Sequence, residues 1–261
     1  MLKRTGLRVM LDVWRALFLR EAFTRISADR LGWSWIFIEP LLHLGIMVGI
    51  RQLMGRVRMV TGVEFIPFLI VGILSFFLFR NVVTRLATVV NANAALFAYR
   101  QVQPIDTVCV RAFLEGCIQF MVFFILVTIL HLLDFNILPD DPALALFYFF
   151  VLWLLGLGLG MIFCVMVATF RESEQFVSIS MLPMLIISGA MIPVQVFPHA
   201  VQQWLWWNPV LHGVELTRLA FFSSYKAMNN LSPLYLLAWS VGLLFVGLLL
   251  QLRYKTRMLV R

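Results

Sequence analysis

Three of the ionisable residues inside the long apolar stretches of this sequence could form a polar site. Glu39 stands next to Pro40, His43 follows one helical turn later, and Arg80 lies in a second apolar stretch. Such residues are costly in a membrane unless they face protein or water, and they often mark functional sites. Glu39, His43 and Arg80 could therefore line a polar path, or they could satisfy one another inside a helical bundle.

A different charge pattern is found at Arg111 and Glu115. The two residues are four positions apart, which places their side chains on the same face of a helix. This spacing predicts that they pair with each other and that their role is structural.

The sequence lacks the common signatures of catalysis and nucleotide binding. It contains no G-x-x-x-x-G-K-[ST], G-x-S-x-G or H-E-x-x-H motif, and its histidines have no metal-ligand spacing. We therefore expect no catalytic residue, metal or bound cofactor in this chain. A membrane enzyme acting on lipid-linked sugar, with Glu39, His43 or His212 as general base, is a weaker alternative. Gly156 and Gly160 lie inside an apolar run and indicate close helix packing.

Composition shows which solvent the chain is built for. Of its 261 residues, 62% are hydrophobic and 13% are charged, against about 45–50% and about 25% in soluble domains. This excess predicts an integral membrane protein. The net charge of +8 fits the basic cytoplasmic segments of such proteins, so nucleic acid is not expected as a partner.

The length of the apolar stretches predicts the architecture. A membrane-spanning helix needs about 20 apolar residues. Six stretches come close to this length, at 33–54, 65–90, 108–131, 143–169, 176–193 and 234–252. We predict an all-α integral membrane protein with six transmembrane helices in a single transmembrane domain, 1–261.

The distribution of basic residues predicts the orientation. Residues 1–30 contain seven Lys or Arg residues and the C-terminal tail contains four, whereas the loop 132–142 contains three aspartates and neither Lys nor Arg. Basic segments accumulate on the cytoplasmic side, so both termini are expected there. Arg51, Arg56 and Arg58 in the first external loop oppose this assignment but are outnumbered.

Residues 8–26 are predicted to form an amphipathic helix along the membrane surface. Arg8, Asp12 and Arg15 form one polar stripe at helical spacing. The apolar face is expected in the headgroup boundary. It consists of Met10, Val13, Trp14, Leu17 and Phe18. Such a helix either anchors the protein at the membrane or contacts the substrate.

The segment 194–233 is too long for a turn and too apolar for a loop in water. Two apolar stretches, each too short to cross a bilayer, flank Asn208-Pro209. A re-entrant or interfacial helical hairpin on the external side accounts for both features. The alternative is an aromatic belt of Trp204, Trp206 and Trp207 at the membrane interface.

Aromatic residues accompany the charged residues of the first two predicted spans. Phe76 and Phe79 precede Arg80, and Trp33 and Trp35 begin the first span. Aromatic rings stack on sugar rings, and arginine pairs with carboxylate or phosphate. The combination suits an acidic sugar polymer, and ordinary helix packing is the alternative.

Three strings of residues carry a resemblance. The first runs from Arg30-Leu31-Gly32-Trp33-Ser34-Trp35 into Glu39-Pro40-Leu41-Leu42-His43. The second is Leu96-Phe97-Ala98-Tyr99-Arg100-Gln101-Val102-Gln103-Pro104-Ile105-Asp106-Thr107. The third is Trp207-Asn208-Pro209 followed by His212, Val214-Glu215-Leu216 and Arg218. Together and in this order, the strings resemble type-2 ABC exporter permeases, specifically the capsular polysaccharide export family of Gram-negative bacteria.

The resemblance implies partners that the sequence itself does not contain. In this family, two copies of the permease associate with two separate ATPase subunits, which bind ATP and Mg. The complex exports a lipid-linked acidic polysaccharide across the inner membrane. A periplasmic polysaccharide co-polymerase-type adaptor and an outer-membrane channel continue the route. A permease for another envelope polymer, such as O-antigen or teichoic acid, is the alternative within the same class.

The resemblance also implies roles for individual residues. A cytoplasmic coupling element at 96–106 would dock on the ATPase through Leu96, Phe97, Tyr99, Arg100, Pro104, Ile105 and Asp106. Arginines that would grip the lipid phosphate and the acidic linker are Arg15, Arg20, Arg25 and Arg30. Residues that would line the polymer path are Trp33, Trp35, Glu39, His43, Phe76, Phe79 and Arg80. A further set either serves the external part of the path or holds the external hairpin together: Trp207, Asn208, Pro209, His212, Glu215 and Arg218.

Overall fold

A computed structural model describes residues 6–27, 32–53, 59–60, 62–99 and 101–259. Within these ranges the chain is almost entirely helical, and the predicted all-α class is confirmed. The helices are α1 (Gly6–Ser27), α2 (Gly32–Leu53), α3 (Phe65–Ala87), α4 (Val89–Ala92), α5 (Pro104–Leu132), α6 (Pro142–Thr169), α7 (Ser173–Ile187), α8 (His199–Leu205), α9 (Pro209–Phe221), α10 (Pro233–Arg253) and α11 (Lys255–Leu259). Two short antiparallel strands, β1 (Met59–Val60) and β2 (Val63–Glu64), precede α3, and 3-10 turns occur at Ala94–Ala98 and Val194–Val196.

Each predicted span falls on a helix. Four helices, α3, α5, α6 and α10, are long and apolar enough to cross a membrane. Within the described residues, α2 and α7 contribute shorter apolar stretches, Ser34–Ile50 and Ser173–Ile187. The predicted end of the fifth span at residue 193 is wrong. The helix ends at Ile187 because Gly189 turns the chain with a positive φ of 70°, which glycine adopts without strain.

Helix α3 forms the centre of the bundle. Every side chain from Pro67 to Phe79 is buried, and Arg80 is the next residue. The helix packs against α5, α6 and α9. Protein therefore surrounds α3 along most of its length, and its charged residues follow the fully buried stretch.

The predicted packing role of Gly156 and Gly160 is confirmed. A Cβ atom on Gly156 would lie 3.1 Å from the carbonyl oxygen of Phe79, and one on Gly160 would lie 2.9 Å from a side chain of α3. On the other side of α6, a Cβ atom on Gly158 would lie 2.6 Å from the backbone nitrogen of Leu244. Small residues thus let α6 pack closely between α3 and α10.

The segment 194–233 contains two short helices on either side of the Asn-Pro break. Pro209 is the first residue of α9, and Asn208 caps this helix by accepting a hydrogen bond from the Val210 backbone N–H at 3.0 Å. Helix α9 is almost wholly buried, whereas Trp204 and Trp207 are 81% and 67% exposed. The segment therefore combines a buried helix with an exposed aromatic surface.

Arg218 is the central polar residue of α9, and its side chain is fully buried. Its Nη1 donates to Glu215 Oε1 and to the carbonyl oxygen of Gly189, both at 2.8 Å. Its Nη2 donates to the carbonyl oxygen of Ala190 at 2.7 Å, and its guanidinium lies 3.7 Å from the centre of the Phe68 ring. A buried charge is tolerated when it is paired and hydrogen-bonded in this way.

Two further contacts hold this region together. The hydroxyl of Tyr225 donates to both carboxylate oxygens of Glu215, at 2.9 and 3.0 Å. In the α5–α6 loop, Asp140 accepts a hydrogen bond from the backbone N–H of Ser223 at 2.6 Å. This bond favours the charged carboxylate and lowers the pKa of Asp140 below its ordinary value.

Gly72 of α3 provides the space that Arg218 occupies. A Cβ atom at position 72 would collide with Arg218 Nη2 and lie 2.5 Å from the carbonyl oxygen of Ala190. We expect Gly72→Ala to lower the free energy of unfolding by about 1–3 kcal/mol, as overpacking does in other cores. The thermal unfolding midpoint of the detergent-solubilised protein measures this effect.

Gly242→Ala is the matched control. No described atom lies within 4 Å of a Cβ atom at this exposed position of α10. The substitution should leave stability unchanged or raise it by up to about 1 kcal/mol. Equal unfolding midpoints for the two variants would contradict the role assigned to Gly72.

Candidate functional site

Helices α1 and α11 and the start of α5 lie on one face of the bundle. Trp14 Nε1 donates to Asp106 Oδ1 at 2.9 Å, and Lys255 Nζ donates to Gln103 Oε1 at 3.1 Å. We call this the tail face, because the N-terminal and C-terminal helices both belong to it. The shared face agrees with an even number of spans between the two helices.

A cavity of about 760 Å³ lies among α1, α2, α3, α5 and α7 in the half of the bundle next to the tail face. Its lining contains four arginines and four glutamates, namely Arg25, Arg80, Arg85, Arg111, Glu21, Glu39, Glu115 and Glu174. Ionisable side chains at membrane depth are expected to serve a function when they face a cavity. The equal numbers of opposite charges raise the question of which side chains pair.

Two ion pairs attach α1 to α5 along the cavity. Arg111 Nη2 lies 2.6 Å from Glu21 Oε2, and Arg25 Nη2 lies 2.8 Å from Glu115 Oε2. The prediction that Arg111 and Glu115 pair with each other is therefore wrong. Each finds its partner 90 residues earlier in the chain, because α1 lies along α5 and offers each of them an opposite charge.

Glu39 and Arg80 form the third ion pair of the cavity, between α2 and α3. Arg80 Nη1 lies 2.8 Å from Glu39 Oε1, and its guanidinium lies 4.0 Å from the centre of the Phe77 ring. His43 lines the same cavity, and its Nδ1 lies 2.9 Å from the backbone oxygen of Glu39. Glu39 and Arg80 thus satisfy each other and also line a polar space.

The aromatic path candidates separate in the structure. Trp35 is 59% exposed and lines the cavity. Phe76 contributes to the cavity wall although it is fully buried, and Phe79 packs against it in the core with ring centres 6.3 Å apart. Packing therefore accounts for Phe79. Trp33 lies in α2, and its side chain lies outside the described part of the chain.

The arginines predicted to grip an anion also differ in their environments. Arg20 Nη1 donates to Asn93 Oδ1 at 2.9 Å, and Arg25 is paired with Glu115 as described above. Arg15 is exposed on α1. Arg30 lies outside the described residues. Two of these four arginines thus contact protein groups.

The residues of the predicted apolar face of α1 differ in their environments. Leu17 is 5% exposed, and Phe18 packs against Phe113 of α5 with ring centres 6.0 Å apart. The apolar residues that do remain exposed on α1 are Met10, Leu11, Leu19 and Phe23. Trp14, Leu17 and Phe18 of the predicted apolar face thus contribute to the packing of α1 against the bundle, whereas Met10 of that face stays exposed.

The predicted coupling element lies on the tail face between α4 and α5. Tyr99 is 67% exposed, and Leu96 and Phe97 are half-buried in the 3-10 turn. Pro104 is the buried first residue of α5, followed by the half-buried Ile105. Arg100 lies outside the described residues.

Asp106 connects this element to two neighbouring parts of the structure. Its Oδ2 accepts a hydrogen bond from the Gln103 backbone N–H at 3.0 Å, which caps α5. Its Oδ1 accepts the bond from Trp14 of α1. One side chain therefore joins the coupling segment, α5 and the surface helix.

The external residues singled out in the sequence form a separate structural cluster, and the described lining of the cavity includes none of them. His212 Nε2 donates to the carbonyl oxygen of Trp206 at 2.8 Å, because its Nδ1 accepts from the Ser232 backbone N–H. Tyr235 donates to the carbonyl oxygen of Trp207 at 2.8 Å. With the contacts of Asn208, Glu215 and Arg218, these bonds fix the hairpin. They support the structural alternative for this set.

Sequence reasoning missed several cavity residues, chief among them Glu21, Arg85 and Glu174. A charge inside the second apolar stretch is a signal that could have identified Arg85. An acidic residue within a basic surface helix is a signal that could have identified Glu21. Glu174 has no comparable signal, because its position at the start of α7 depends on how the helices pack.

The pair Glu21–Arg111 can be tested with a double-mutant cycle. Both side chains are mostly buried, so we expect a coupling free energy of about 1–3 kcal/mol between Glu21→Gln and Arg111→Gln. Denaturation in detergent, followed by circular dichroism, measures it. Arg171 is exposed in the α6–α7 loop, so Arg171→Gln combined with Glu21→Gln should be additive within about 0.5 kcal/mol. Additive effects in the first cycle would contradict the pair.

Comparison with known proteins identifies relatives over almost the full length. The polysialic acid transport protein KpsM of Escherichia coli is 35% identical over 254 residues, covering 97% of this chain and 96% of the relative. The capsule polysaccharide export inner-membrane protein CtrC of Neisseria meningitidis serogroup B is 27% identical over 96% of this chain and 94% of its own. The capsule polysaccharide export inner-membrane protein BexB of Haemophilus influenzae is 27% identical over 95% and 92%.

The family comparison covers the cavity and the apolar helices up to α7, but not α10. The model of the ABC-2 type transporter family matches residues 13–222, a range that begins in α1 and ends just after α9. All eight charged cavity residues lie inside this range. The chain is therefore a member of the ABC-2 type transporter family.

Proposed function

We propose that this chain is the permease subunit of an ATP-driven exporter of lipid-linked acidic capsular polysaccharide. The observation that carries the proposal is its similarity to inner-membrane capsule and polysialic acid export proteins over 92% or more of both chains. The geometry supports it because the cavity contains charged groups and an exposed tryptophan, which suit an acidic sugar polymer. The chain itself acts as a transporter subunit and not as a catalyst.

The energy source is proposed to be a separate ATPase. The sequence has no phosphate-binding P-loop, so ATP and Mg would be bound by the partner. Two copies of this chain would assemble with two ATPase subunits in the inner membrane, with the tail face in the cytoplasm. This orientation is supported by the excess of Lys and Arg in the two tails. A periplasmic co-polymerase-type adaptor and an outer-membrane channel would receive the polymer.

The contacts of Asp106 suggest how the ATPase would act on the cavity. A partner docked on the exposed Tyr99 would displace the segment that begins α5. Asp106 joins that segment to α1 through Trp14, and α1 carries Glu21 and Arg25 into the cavity lining. Movement at the tail face would therefore reach the cavity through α5 and through α1.

We expect Tyr99→Ala to weaken binding of the ATPase subunit by about tenfold or more, because an exposed aromatic residue at a docking site is a typical hot spot. Asp106→Arg should uncouple ATP hydrolysis by breaking the helix cap and the bond to Trp14. Co-purification with the ATPase and its hydrolysis rate measure both effects. The control is Trp204→Ala, which removes a highly exposed aromatic residue from the segment 194–233. It should change neither binding of the ATPase nor its hydrolysis rate. Normal assembly and hydrolysis in both tail-face variants would contradict the coupling assignment.

The substrate is tested in cells that lack this protein. Such cells should lose surface capsule and accumulate acidic, phospholipid-capped polysaccharide inside, as detected by mass spectrometry of extracted glycolipid. Reintroducing the wild-type chain should restore the surface polymer. Accumulation of undecaprenyl-linked glycan would instead indicate an O-antigen type of substrate. Turnover of a lipid-linked sugar by the purified chain without ATP would indicate an enzyme and contradict the proposal.

A further inference from the structure

The four arginines and four glutamates of the cavity balance in formal charge, but the described residues form only three ion pairs there, which leaves Arg85 and Glu174 without one. Three of its four arginines are paired with glutamates in the ion pairs given above, at distances of 2.6–2.8 Å. The fourth is Arg85, whose side chain is exposed to the cavity. In the described part of the chain, Arg85 makes no ion pair and no hydrogen bond through its side chain. It is thus a cation with its donors available.

Arg85 belongs to a polar face of α3. Asn81, Thr84, Arg85 and Thr88 follow one another at helical spacing, and all four line the cavity. The Thr84 hydroxyl is occupied, since it donates to the carbonyl oxygen of Arg80 at 2.9 Å. Asn81 accepts hydrogen bonds from Arg80 at 2.8 and 3.0 Å. Arg85 and Thr88 lie one turn apart, and they provide open donors at the tail-face end of this face.

Three glutamates of the lining that could pair with Arg85 are already engaged. Arg25, Arg80 and Arg111 line the same cavity, and each holds one glutamate at 2.6–2.8 Å. A guanidinium that has no ion-pair partner of its own, and that faces a polar cavity, can attract an anion into it.

We propose that Arg85, together with the Thr88 hydroxyl, forms an oxyanion-binding site in the cavity, which takes one phosphate or carboxylate group of the transported polymer. A guanidinium offers a fork of donors that matches both oxyanions. Because the other three arginines are engaged by glutamates, the site holds one anionic group and not a highly charged stretch. The identity of the ligand rests on the proposed export function, whereas the existence of the site does not.

Two sources can supply such an oxyanion, the phosphodiester of a lipid anchor and the carboxylate of an acidic sugar. Arg85 lies two residues before the end of α3, near the tail face, where either group would arrive from the cytoplasmic leaflet. The binding experiment therefore uses one probe for each source. Dihexanoyl phosphatidylglycerol carries the phosphodiester, and a tetramer of sialic acid carries the carboxylates.

Binding of each probe is measured by isothermal titration calorimetry to the full chain in phosphatidylcholine nanodiscs. We expect Arg85→Gln to weaken binding of at least one probe by about 10- to 100-fold, the range for losing a hydrogen-bonded charge. Arg85→Lys keeps the charge and should retain more of the affinity. Loss for phosphatidylglycerol alone assigns the lipid phosphate, loss for the sialic acid tetramer alone assigns the sugar carboxylate, and loss for both assigns a site that accepts either group.

Arg171→Gln is the matched control, because it removes the same charge from an exposed loop residue that does not line the cavity. It should leave both affinities unchanged. Equal affinities of wild type and Arg85→Gln for both probes, or equal losses in the two variants, would overturn the site. If neither probe binds the wild-type protein, the proposed site is also overturned. Unchanged thermal unfolding midpoints establish that Arg85→Gln folds normally.

Failure of this site can be distinguished from failure of the proposed function. In cells with the complete exporter, Arg85→Gln should reduce surface polymer at normal protein abundance. Normal surface polymer in this variant overturns the anion site and leaves the permease function in place. Normal surface polymer in cells that lack the chain altogether overturns the function itself.

Discussion

The bilayer core provides no water to solvate a charged side chain, and the structure of this permease follows from that constraint. Each charged group in the bundle must face a polar cavity or find an opposite charge. Arg218 does the second in the half away from the tail face, where Glu215 and three backbone carbonyl oxygens accept from its guanidinium. Three further ion pairs occur around the cavity of the tail-face half. In the half that contains Arg218, the polar contacts therefore hold the helices together. In the tail-face half, they line a cavity that a ligand can enter.

The same constraint makes α1 part of the bundle. A surface helix held only by lipid would be free to move independently of the spans, but α1 is attached to α5 by two ion pairs and by the bond from Trp14 to Asp106. These contacts connect the coupling segment to the cavity wall. The surface helix thus links the proposed ATPase docking site to the space proposed for the substrate.

Hydropathy predicted the approximate location of the six apolar helices, four of which are long and apolar enough to cross a membrane. The break between the two short helices of segment 194–233 was also predictable, since its apolar stretches are short and interrupted at Asn208-Pro209. The pairing of the charged residues was not predictable from the sequence. Arg111 and Glu115 have ideal spacing for each other, yet their partners lie on α1, and only the packing of helices distant in sequence decides between the two outcomes. The contacts of Trp14, Leu17 and Phe18 with the bundle depend on the same packing.

The central claim is that this chain moves a phospholipid-capped acidic polymer when an ATPase drives it. Transport into proteoliposomes tests this most directly. The chain and its ATPase are reconstituted together, lipid-linked polymer is supplied on the ATPase side, and the polymer protected inside the vesicles is measured. The account predicts protected polymer only when both subunits, ATP and Mg are present. Equal protection without ATP, or none with the complete complex, would contradict it.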